Sequence, residues 1–397
     1  MRSGGGPGVA GVAVTNRVNA LSGRVEGSVQ QNLPNGITLN GGAVVTGDLL
    51  VLGLPTVTRN GTPTYAGTID GTGAATPTNY SIVLNSGAAL NHVVRRTNAV
   101  ALTRVGAPVT PAGTRSVNIG SAGQSVGSWT TLRNLTLNGG VGQHTVPAGA
   151  CGDFVANSGS GLVPGVVGAT QPTVYSFQRL TLNGLASLRV VGPVQIRVGS
   201  AVFSNGPIGN AEHPAWLDLK IQTGGFTLNS GASLHGYVFA PTGEVAINSG
   251  THLVGGLECD RLTVNGGGVL RLQQKNQPPV ANPQTLVTDE DTAVGFSLSG
   301  SDLDGQPLVF IVVSNPASGS LSGTAPNLTY TPPANYSGTT SFLFKVNDGV
   351  IDSSVATVTI EVRPVNDRPV AAALEKTTRE DTPLPSRLPV PMSRRRS

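Results

Sequence analysis

Acidic residues gather in the last third of this sequence, at positions whose surroundings predict turns. Asp289, Glu290 and Asp291 form one group, and Asp302 and Asp304 stand two residues apart in the segment Ser-Asp-Leu-Asp-Gly. Calcium binds six to eight oxygen ligands, mostly carboxylates and carbonyls from flexible loops. This spacing makes calcium binding one interpretation. The other is that these acids only form turns and carry solvated charge.

The charge of the chain is unevenly distributed, although the net charge is only +4. Residues 276–363 carry 2 basic and 8 acidic residues, whereas residues 1–275 carry 16 basic and 9 acidic residues. The basic residues are scattered and do not alternate with aromatic ones, so the pattern does not favour nucleic-acid binding. The acidic block instead favours a cation as the partner of the C-terminal region.

Residues that could perform catalysis are dispersed in the first 275 positions. Glu258 and Asp260 are two residues apart, so strand alternation would place both on one face, with Arg261 on the other. A polysaccharide-cleaving β-helix would use such acids together with calcium and a basic residue. The sequence contains no Gly-x-Ser-x-Gly motif and no phosphate-binding glycine loop. We therefore expect no enzyme activity, with a carbohydrate-binding or polysaccharide-cleaving β-helix as the alternative.

The elements that would position these residues are strands. The chain has 54 Gly and 28 Pro, with 12% charged and 4% aromatic residues, and such a composition does not support long helices. One phrase, apolar-x-apolar-Asn followed by Gly or Ser-Gly, recurs seven times. Its asparagines are Asn40, Asn85, Asn138, Asn183, Asn229, Asn248 and Asn265.

Each phrase predicts a short strand followed by a turn, because Asn and Gly tolerate the backbone angles of turns. The last two Asn-to-Asn spacings are 19 and 17 residues, the length of one coil of a parallel solenoid. The earlier spacings near 45 would hold two or three coils each. We predict an N-terminal right-handed parallel β-solenoid over residues 31–274, with a β-sandwich as the alternative, and poor order in residues 1–30. In the solenoid, Asn229, Asn248 and Asn265 would stack at one corner.

The segment 226–272 contains a pattern of Gly, apolar and Asn residues at fixed positions. These positions are Gly236, Val238, Ala240, Pro241, Gly243, Val245, Ile247, Asn248, Gly255, Gly256, Leu262, Val264 and Asn265. In this pattern the segment resembles the Asn- and Gly-rich choice-of-anchor modules of bacterial surface proteins. The resemblance implies a β-helical extracellular scaffold without known catalysis. A third class of function, that of cytoplasmic filament proteins similar to bactofilins, would not explain the C-terminal region.

A different texture begins after the linker 275–279, which contains Pro278-Pro279. Strand-like runs recur about every ten residues from 280 to 365, which predicts an Ig-like β-sandwich. Its motifs Asp-Glu-Asp-Thr, Ser-Asp-x-Asp-Gly and Val-Asn-Asp-x-Pro are similar to those of cadherin-like bacterial tandem repeats. The resemblance implies calcium at the junctions between modules and neighbouring Ig-like modules as partners. The residues carried over to that role are Glu290, Asp302, Asp304 and Asp367.

Residues 366–397 begin a second copy of the module at an offset of 90 residues, then lose the strand pattern. We expect a truncated repeat and a disordered basic tail there.

Cys151 and Cys259 could pair or remain two buried thiols. No apolar run is long enough to span a membrane, and Met1–Gly6 lacks the apolar core of a signal peptide.

Together these features predict a non-enzymatic, extracellular or cell-surface structural and adhesion protein. Its export signal would precede this start, or its export would use another route. The expected partners are other cell-surface proteins or polysaccharide.

Overall fold

Two units make up the chain, and the division falls between Lys275 and Asn276. The computed structural model describes residues 11–169, 171–203, 205–303, 305–349, 351–366 and 380. In this part of the chain the regular structure is strand, apart from two single-turn 3-10 helices at Trp129–Thr131 and Pro214–Trp216. The predicted all-β class is confirmed.

The described residues of the first unit form 24 strands in one continuous sheet. They are β1 (Val12–Leu21), β2 (Arg24–Glu26), β3 (Ser28–Gln31), β4 (Ile37–Leu39), β5 (Val44–Val45), β6 (Leu49–Val51), β7 (Thr56–Arg59), β8 (Thr64–Asp70), β9 (Ser81–Leu84), β10 (Ala89–Arg95), β11 (Arg115–Ile119), β12 (Leu132–Leu137), β13 (Gly142–Thr145), β14 (Gly149–Ala156), β15 (Ser160–Val163), β16 (Thr173–Leu182), β17 (Ser187–Arg189), β18 (Val194–Phe203), β19 (Pro207–Gly209), β20 (Leu217–Ile221), β21 (Phe226–Leu228), β22 (Ser233–Ile247), β23 (His252–Val264) and β24 (Val269–Leu272).

Parallel pairing between successive coils builds a solenoid with three faces, as predicted in preference to the sandwich. Face I consists, in spatial order, of β13, β15, β17, β19, the starts of β22 and β23, then β24, β2, β5 and the starts of β10 and β8. Face II consists of the start of β14, the starts of β16 and β18, β20, the middles of β22 and β23, the start of β1, then β3, β6 and the ends of β10 and β8.

Face III carries the repeated Asn phrases at its end. It contains β11, β12, the ends of β14, β16 and β18, then β21, the ends of β22, β23 and β1, and finally β4, β9 and β7. On all faces the apolar residues alternate inward, because successive strand side chains point to opposite sides. Leu262, Val264 and Leu228 are fully buried in the resulting core.

The stack does not follow chain order. β1 pairs with β23, so Val18 lies beside Leu262, and β2 pairs with β24. Residues 11–95 therefore extend the stack beyond residue 272, and residues 115–272 form its other half. Residues 11–30, predicted to be poorly ordered, instead form β1, β2 and most of β3. That prediction was wrong for these residues, because their apolar positions complete the exposed edge of β23 and β24; residues 1–10 lie outside the described part.

A connecting segment, residues 98–114, links the two halves along face II. At one end the side chain of Asn32 donates to the carbonyl of Val100 at 2.6 Å and accepts from its amide at 3.0 Å. At the other end Gln178 donates to the carbonyls of Pro108 and Val109, at 3.3 and 3.2 Å. The segment is thus held against the solenoid near both ends by buried or half-buried amide side chains.

The predicted asparagine stack is confirmed. Asn248 Nδ2 donates to Oδ1 of Asn229 at 2.6 Å, and Asn265 Nδ2 donates to Oδ1 of Asn248 at 2.6 Å. Each of these residues also closes a turn, since its carbonyl accepts the amide three residues later. Asn157 continues the pattern through a bond from Asn183 at 3.0 Å, an eighth copy that the sequence analysis missed, and Ser22 occupies the equivalent corner of the first coil.

Both cysteines are buried free thiols. Cys151 lies on β14 and Cys259 on β23, five strand spacings apart on face II. At about 4.8 Å per spacing they are separated by roughly 24 Å, far beyond disulfide reach. Of the two alternatives left open by the sequence, the structure therefore selects two buried thiols, and burial raises the pKa of Cys151 to about 11.

The second unit is a β-sandwich. Its strands are β25 (Val280–Ala281), β26 (Gln284–Asp289), β27 (Val294–Ser297), β28 (Gly300–Ser301), β29 (Val309–Ser314), β30 (Ser320–Thr324), β31 (Asn327–Thr331), β32 (Gly338–Asn347) and β33 (Ala356–Arg363). One sheet has the order β26-β33-β32-β29, the other β27-β31-β30, and β25 pairs with β28. Phe342, Phe344 and Tyr330 fill the core. The strand-like runs predicted at intervals of about ten residues between 280 and 365 include β27, β29, β31, β32 and β33.

Candidate functional site

The predicted calcium ligands do not meet at one place in the described module. β26 runs parallel to β33, so Glu290, directly after β26, lies at the end of the module where residue 363 lies. Asp302 follows β28, which pairs with β25 at the other end, where the module begins. About six strand residues, roughly 20 Å, separate the two ends. Asp304 and Asp367 lie outside the described residues.

Glu290 has a structural role within the module. Its side chain is 6% exposed, and Oε1 accepts the amide of Val365 at 2.6 Å. Its own amide donates to the carbonyl of Arg363 at 2.8 Å. Asp302 Oδ1 accepts the amide of Gln306 at 3.1 Å, as in a side-chain-stabilised turn. Among the described residues no group of three His, Cys, Asp or Glu side chains is arranged to hold a metal ion.

The hairpin after β32 shows the same local use of acids. Asp348 is 5% exposed and accepts the amide of Ile351 at 2.7 Å and Nδ2 of Asn276 at 2.8 Å. Asp352 accepts Nζ of Lys345 at 2.6 Å, and this bond holds the pKa of Asp352 below its usual value. These two carboxylates stabilise the hairpin turn of the module.

A pocket of about 610 Å³ lies on the outer side of face II in the first unit. Two lateral rows form its floor, because residues in register on adjacent strands stand side by side. Asp218, Tyr237 and Gly256 form one row, and Lys220, Phe239 and Glu258 form the other. The residues between the rows are buried in the core: Leu219, Val238 and Leu257. Thr103 of the connecting segment and Lys275 also line the pocket.

Tyr237 is held in a defined orientation. Its ring lies over Gly256, where an added Cβ would stand 2.4 Å from Cδ1 of the ring. Its hydroxyl donates to the carbonyl of Gln274 at 2.7 Å, and Nζ of Lys275 lies 5.7 Å from the ring centroid. The glycine at 256 is therefore required by the neighbouring aromatic ring.

The two carboxylates of the pocket differ in their surroundings. Oδ2 of Asp218 lies 3.0 Å from Nζ of Lys275 and 3.7 Å from Nζ of Lys220. Glu258 is half-buried, and in the described part of the chain it has no hydrogen-bond or ion-pair partner. Burial raises the pKa of Glu258; nearby Asp218 adds to the rise, and Lys275 and Lys220 oppose it.

Of the predicted acid pair, Glu258 lines the pocket and Asp260 does not. Asp260 instead accepts Nδ2 of Asn16 at 2.9 Å. Arg261, predicted to lie on the other face, was placed wrongly, because its Nη1 lies 3.3 Å from Oδ2 of Asp260. Sequence reasoning did not single out Asp218, Lys220, Tyr237 or Phe239 as a group. Their signal is polar and aromatic residues two apart on strands whose intervening residues are apolar, but only the strand register brings them together.

Comparisons with known proteins identify the C-terminal module. Residues 276–361 match the family described as "Bacterial Ig domain". These residues form a bacterial Ig-like domain, as the sequence predicted. No helix among the described residues is long and apolar enough to cross a membrane.

Two curated relatives are integrin beta-like proteins of Dictyostelium discoideum. The chain is 33% identical to integrin beta-like protein B over 128 residues, which is 28% of this chain and 6% of the relative. It is 31% identical to integrin beta-like protein A over 130 residues, 28% of this chain and 7% of the relative. The chain thus spans less than a tenth of the length of these relatives.

Likenesses to solved structures are weak. A nucleoside hydrolase-related hypothetical protein from Saccharophagus degradans is 18% identical with a TM-score of 0.18, covering 22% of this chain and 26% of that one. The endo-fucoidan hydrolase MfFcnA4 of glycoside hydrolase family 107 is 22% identical, with a TM-score of 0.20. The match covers 26% of this chain and 16% of that one. A variant of that hydrolase with one substitution is 23% identical with the same TM-score and coverage. At these scores the likenesses carry no functional argument.

Proposed function

We propose that this protein is a non-enzymatic extracellular structural and adhesion protein, in which the solenoid is a stiff scaffold and the Ig-like domain a spacer or binding module. The observation that carries the proposal is the combination of a bacterial Ig-like domain with a continuous parallel stack. Face I alone contains eleven strands in the described residues. At about 4.8 Å per spacing the stack is roughly 48 Å long.

Stiffness follows from the way the stack is bonded. Parallel ladders join neighbouring coils on each face, and the Asn229, Asn248 and Asn265 side chains add a second line of bonds along one corner. Half-buried amide ladders of this kind restrict sliding between coils, because any shift would break these hydrogen bonds. The integrin-like relatives and the resemblance of 226–272 to choice-of-anchor modules support a place at the cell surface.

Surface labelling of the native organism tests this proposal. Antibodies raised against the full chain should label intact cells or secreted material. Labelling that appears only after the cells are permeabilised would contradict it. Incubation of the full chain with polysaccharides should release no new reducing ends, and release that the chain alone catalyses would contradict the non-enzymatic role.

Calcium binding at the ends of the Ig-like domain remains part of this proposal. Glu290 and Asp302 lie at opposite ends of the domain, so a calcium site at either end would draw its further ligands from residues other than this pair. Hydrogen exchange of the full chain in calcium and in chelator tests this. Protection of residues near 302 should rise with calcium, and less so in Asp302→Ala. Identical protection in both buffers would contradict it.

A further inference from the structure

We propose that the face II pocket binds a neutral, hydroxyl-rich glycan, and that Phe239, Tyr237 and Glu258 contact it. This inference deepens the proposed function and rests on it for the glycan to be encountered outside the cell. Binding itself is a property of the purified chain, so it is measured independently of where the protein is located.

The placement of aromatic residues is the first argument. The chain has only 2 Trp, 6 Tyr and 9 Phe. In the solenoid most of the large rings point inward and are buried, as Phe154, Phe177 and Tyr175 are. Tyr237 and Phe239 instead stand two residues apart on the outer side of β22 and line the pocket. Aromatic surface facing a concave site is suited to the apolar faces of a ring-shaped ligand.

The second argument is the carboxylate of Glu258. It is half-buried and makes no hydrogen bond or ion pair with the described residues, so its oxygens are open to a ligand that enters the pocket. Its neighbour in register is Phe239. A ligand that packs on Phe239 would therefore bring its polar groups next to the Glu258 carboxylate. A sugar ring combines these two features, because its face is apolar and its hydroxyl groups are hydrogen-bond donors at the edge.

The balance of charge selects a neutral ligand. Asp218 and Glu258 contribute two negative charges, and Lys220 and Lys275 contribute two positive ones. The pocket therefore has no net charge to attract a polyanion or a polycation. The volume of about 610 Å³ lies within the range of small-molecule sites and accommodates a short oligosaccharide.

The experiment is titration calorimetry of the full chain with five hexasaccharides. Three are neutral, from cellulose, starch and β-mannan; one is cationic, from chitosan; and one is anionic, from polygalacturonate. We expect at least one neutral hexasaccharide to bind with a Kd below about 1 mM. Binding by charged hexasaccharides alone, or by none at about 10 mM, would overturn the proposal.

Matched variants assign the binding to the pocket. Phe239→Ala and Glu258→Gln should each weaken binding of the neutral sugar about tenfold or more, with their thermal unfolding checked alongside. Val174→Ala is the control, because Val174 is 49% exposed on the outer side of face II and is not among the pocket residues. Equal affinity of all three variants and the parent chain would overturn the assignment. A well-folded chain that labels the cell surface but binds no glycan would leave the adhesion proposal intact and reject only this one.

Discussion

Thr15 and Cys259 lie in register on adjacent parallel strands, although 244 residues separate them in the chain. The hydroxyl of Thr15 is fully buried and donates towards the carbonyls of Arg17 at 2.9 Å and Asp260 at 3.1 Å. This contact lies at the seam where the first coil of the chain stacks on the coil that contains β23. Residues far apart in the sequence therefore meet in the middle of the stack.

Thr15→Val should destabilise the seam without changing its shape. The valine fills the same volume but leaves the two carbonyl groups without this donor, and we expect a loss of about 1–3 kcal/mol in the free energy of unfolding. Denaturant unfolding of the full chain measures it. Thr58→Val, at an exposed position on β7, is the control and should change stability little. Equal effects of both substitutions would contradict the importance of the seam.

A second seam contact predicts a dependence on pH. Oε2 of Glu26 lies 2.5 Å from Nε of Arg271, and this bond, with a smaller contribution from Arg24, lowers the pKa of Glu26 from its usual value. A lowered pKa in the folded state contributes stability above the unfolded-state value, and the contribution is lost as pH falls through the folded-state value.

Glu26→Gln should therefore lower the Tm at neutral pH and have little effect in strong acid. Thermal melts of the full chain at both pH values check this. Glu212→Gln changes an exposed acid away from the seam and serves as the control. A Tm difference that does not shrink in acid would contradict the role of the ion pair.

Asn248→Ala should destabilise the solenoid more than Asn229→Ala. Asn248 is bonded to both Asn229 and Asn265, so its removal breaks two rungs of the ladder, whereas Asn229 takes part in one of them. We expect about 1–3 kcal/mol for the central residue and roughly half of that for Asn229. Urea unfolding of the two variants compares them. A larger effect of Asn229→Ala would contradict a cooperative ladder.

Glu258→Gln should stabilise the folded chain at neutral pH. Burial raises the pKa of Glu258, so its contribution to stability is full below the unfolded-state value and is lost as pH rises through the folded-state value. Removing the charge should raise the Tm near neutrality and change it little in acid. Thermal melts across this range measure the effect, with Glu212→Gln as the control. A lower Tm at neutral pH would show that Glu258 is satisfied within the fold.

Glu290→Ala should loosen the end of the Ig-like domain even when calcium is removed. The substitution leaves the amide of Val365 without its partner, and we expect a local loss of about 1–3 kcal/mol. Hydrogen exchange at residues 356–365 of the full chain, in chelator, reports it. Unchanged protection in chelator, with a loss only in calcium, would show that Glu290 acts through the metal.

Much of the fold follows from local pattern. The spacing of Asn229, Asn248 and Asn265 predicted both the coil length and the stacked corner, because a strand of alternating apolar residues and an Asn-Gly turn are determined by neighbours in the chain. The strand runs of the Ig-like domain, such as 340–346, were predictable for the same reason. The acids of that domain were identified as a group, but whether they hold a metal depends on distances that spacing does not determine.

The sequence by itself therefore determined the all-β class, the repeating coil and the C-terminal sandwich. The tertiary structure decided the order of the coils, the place of residues 11–30 and the pocket of Asp218, Phe239 and Glu258. The physical reason is that any coil with a matching apolar face can pair with the edge of any other. Val18 and Leu262 become neighbours because each completes an otherwise exposed edge, and no local signal in the chain records which two edges will meet.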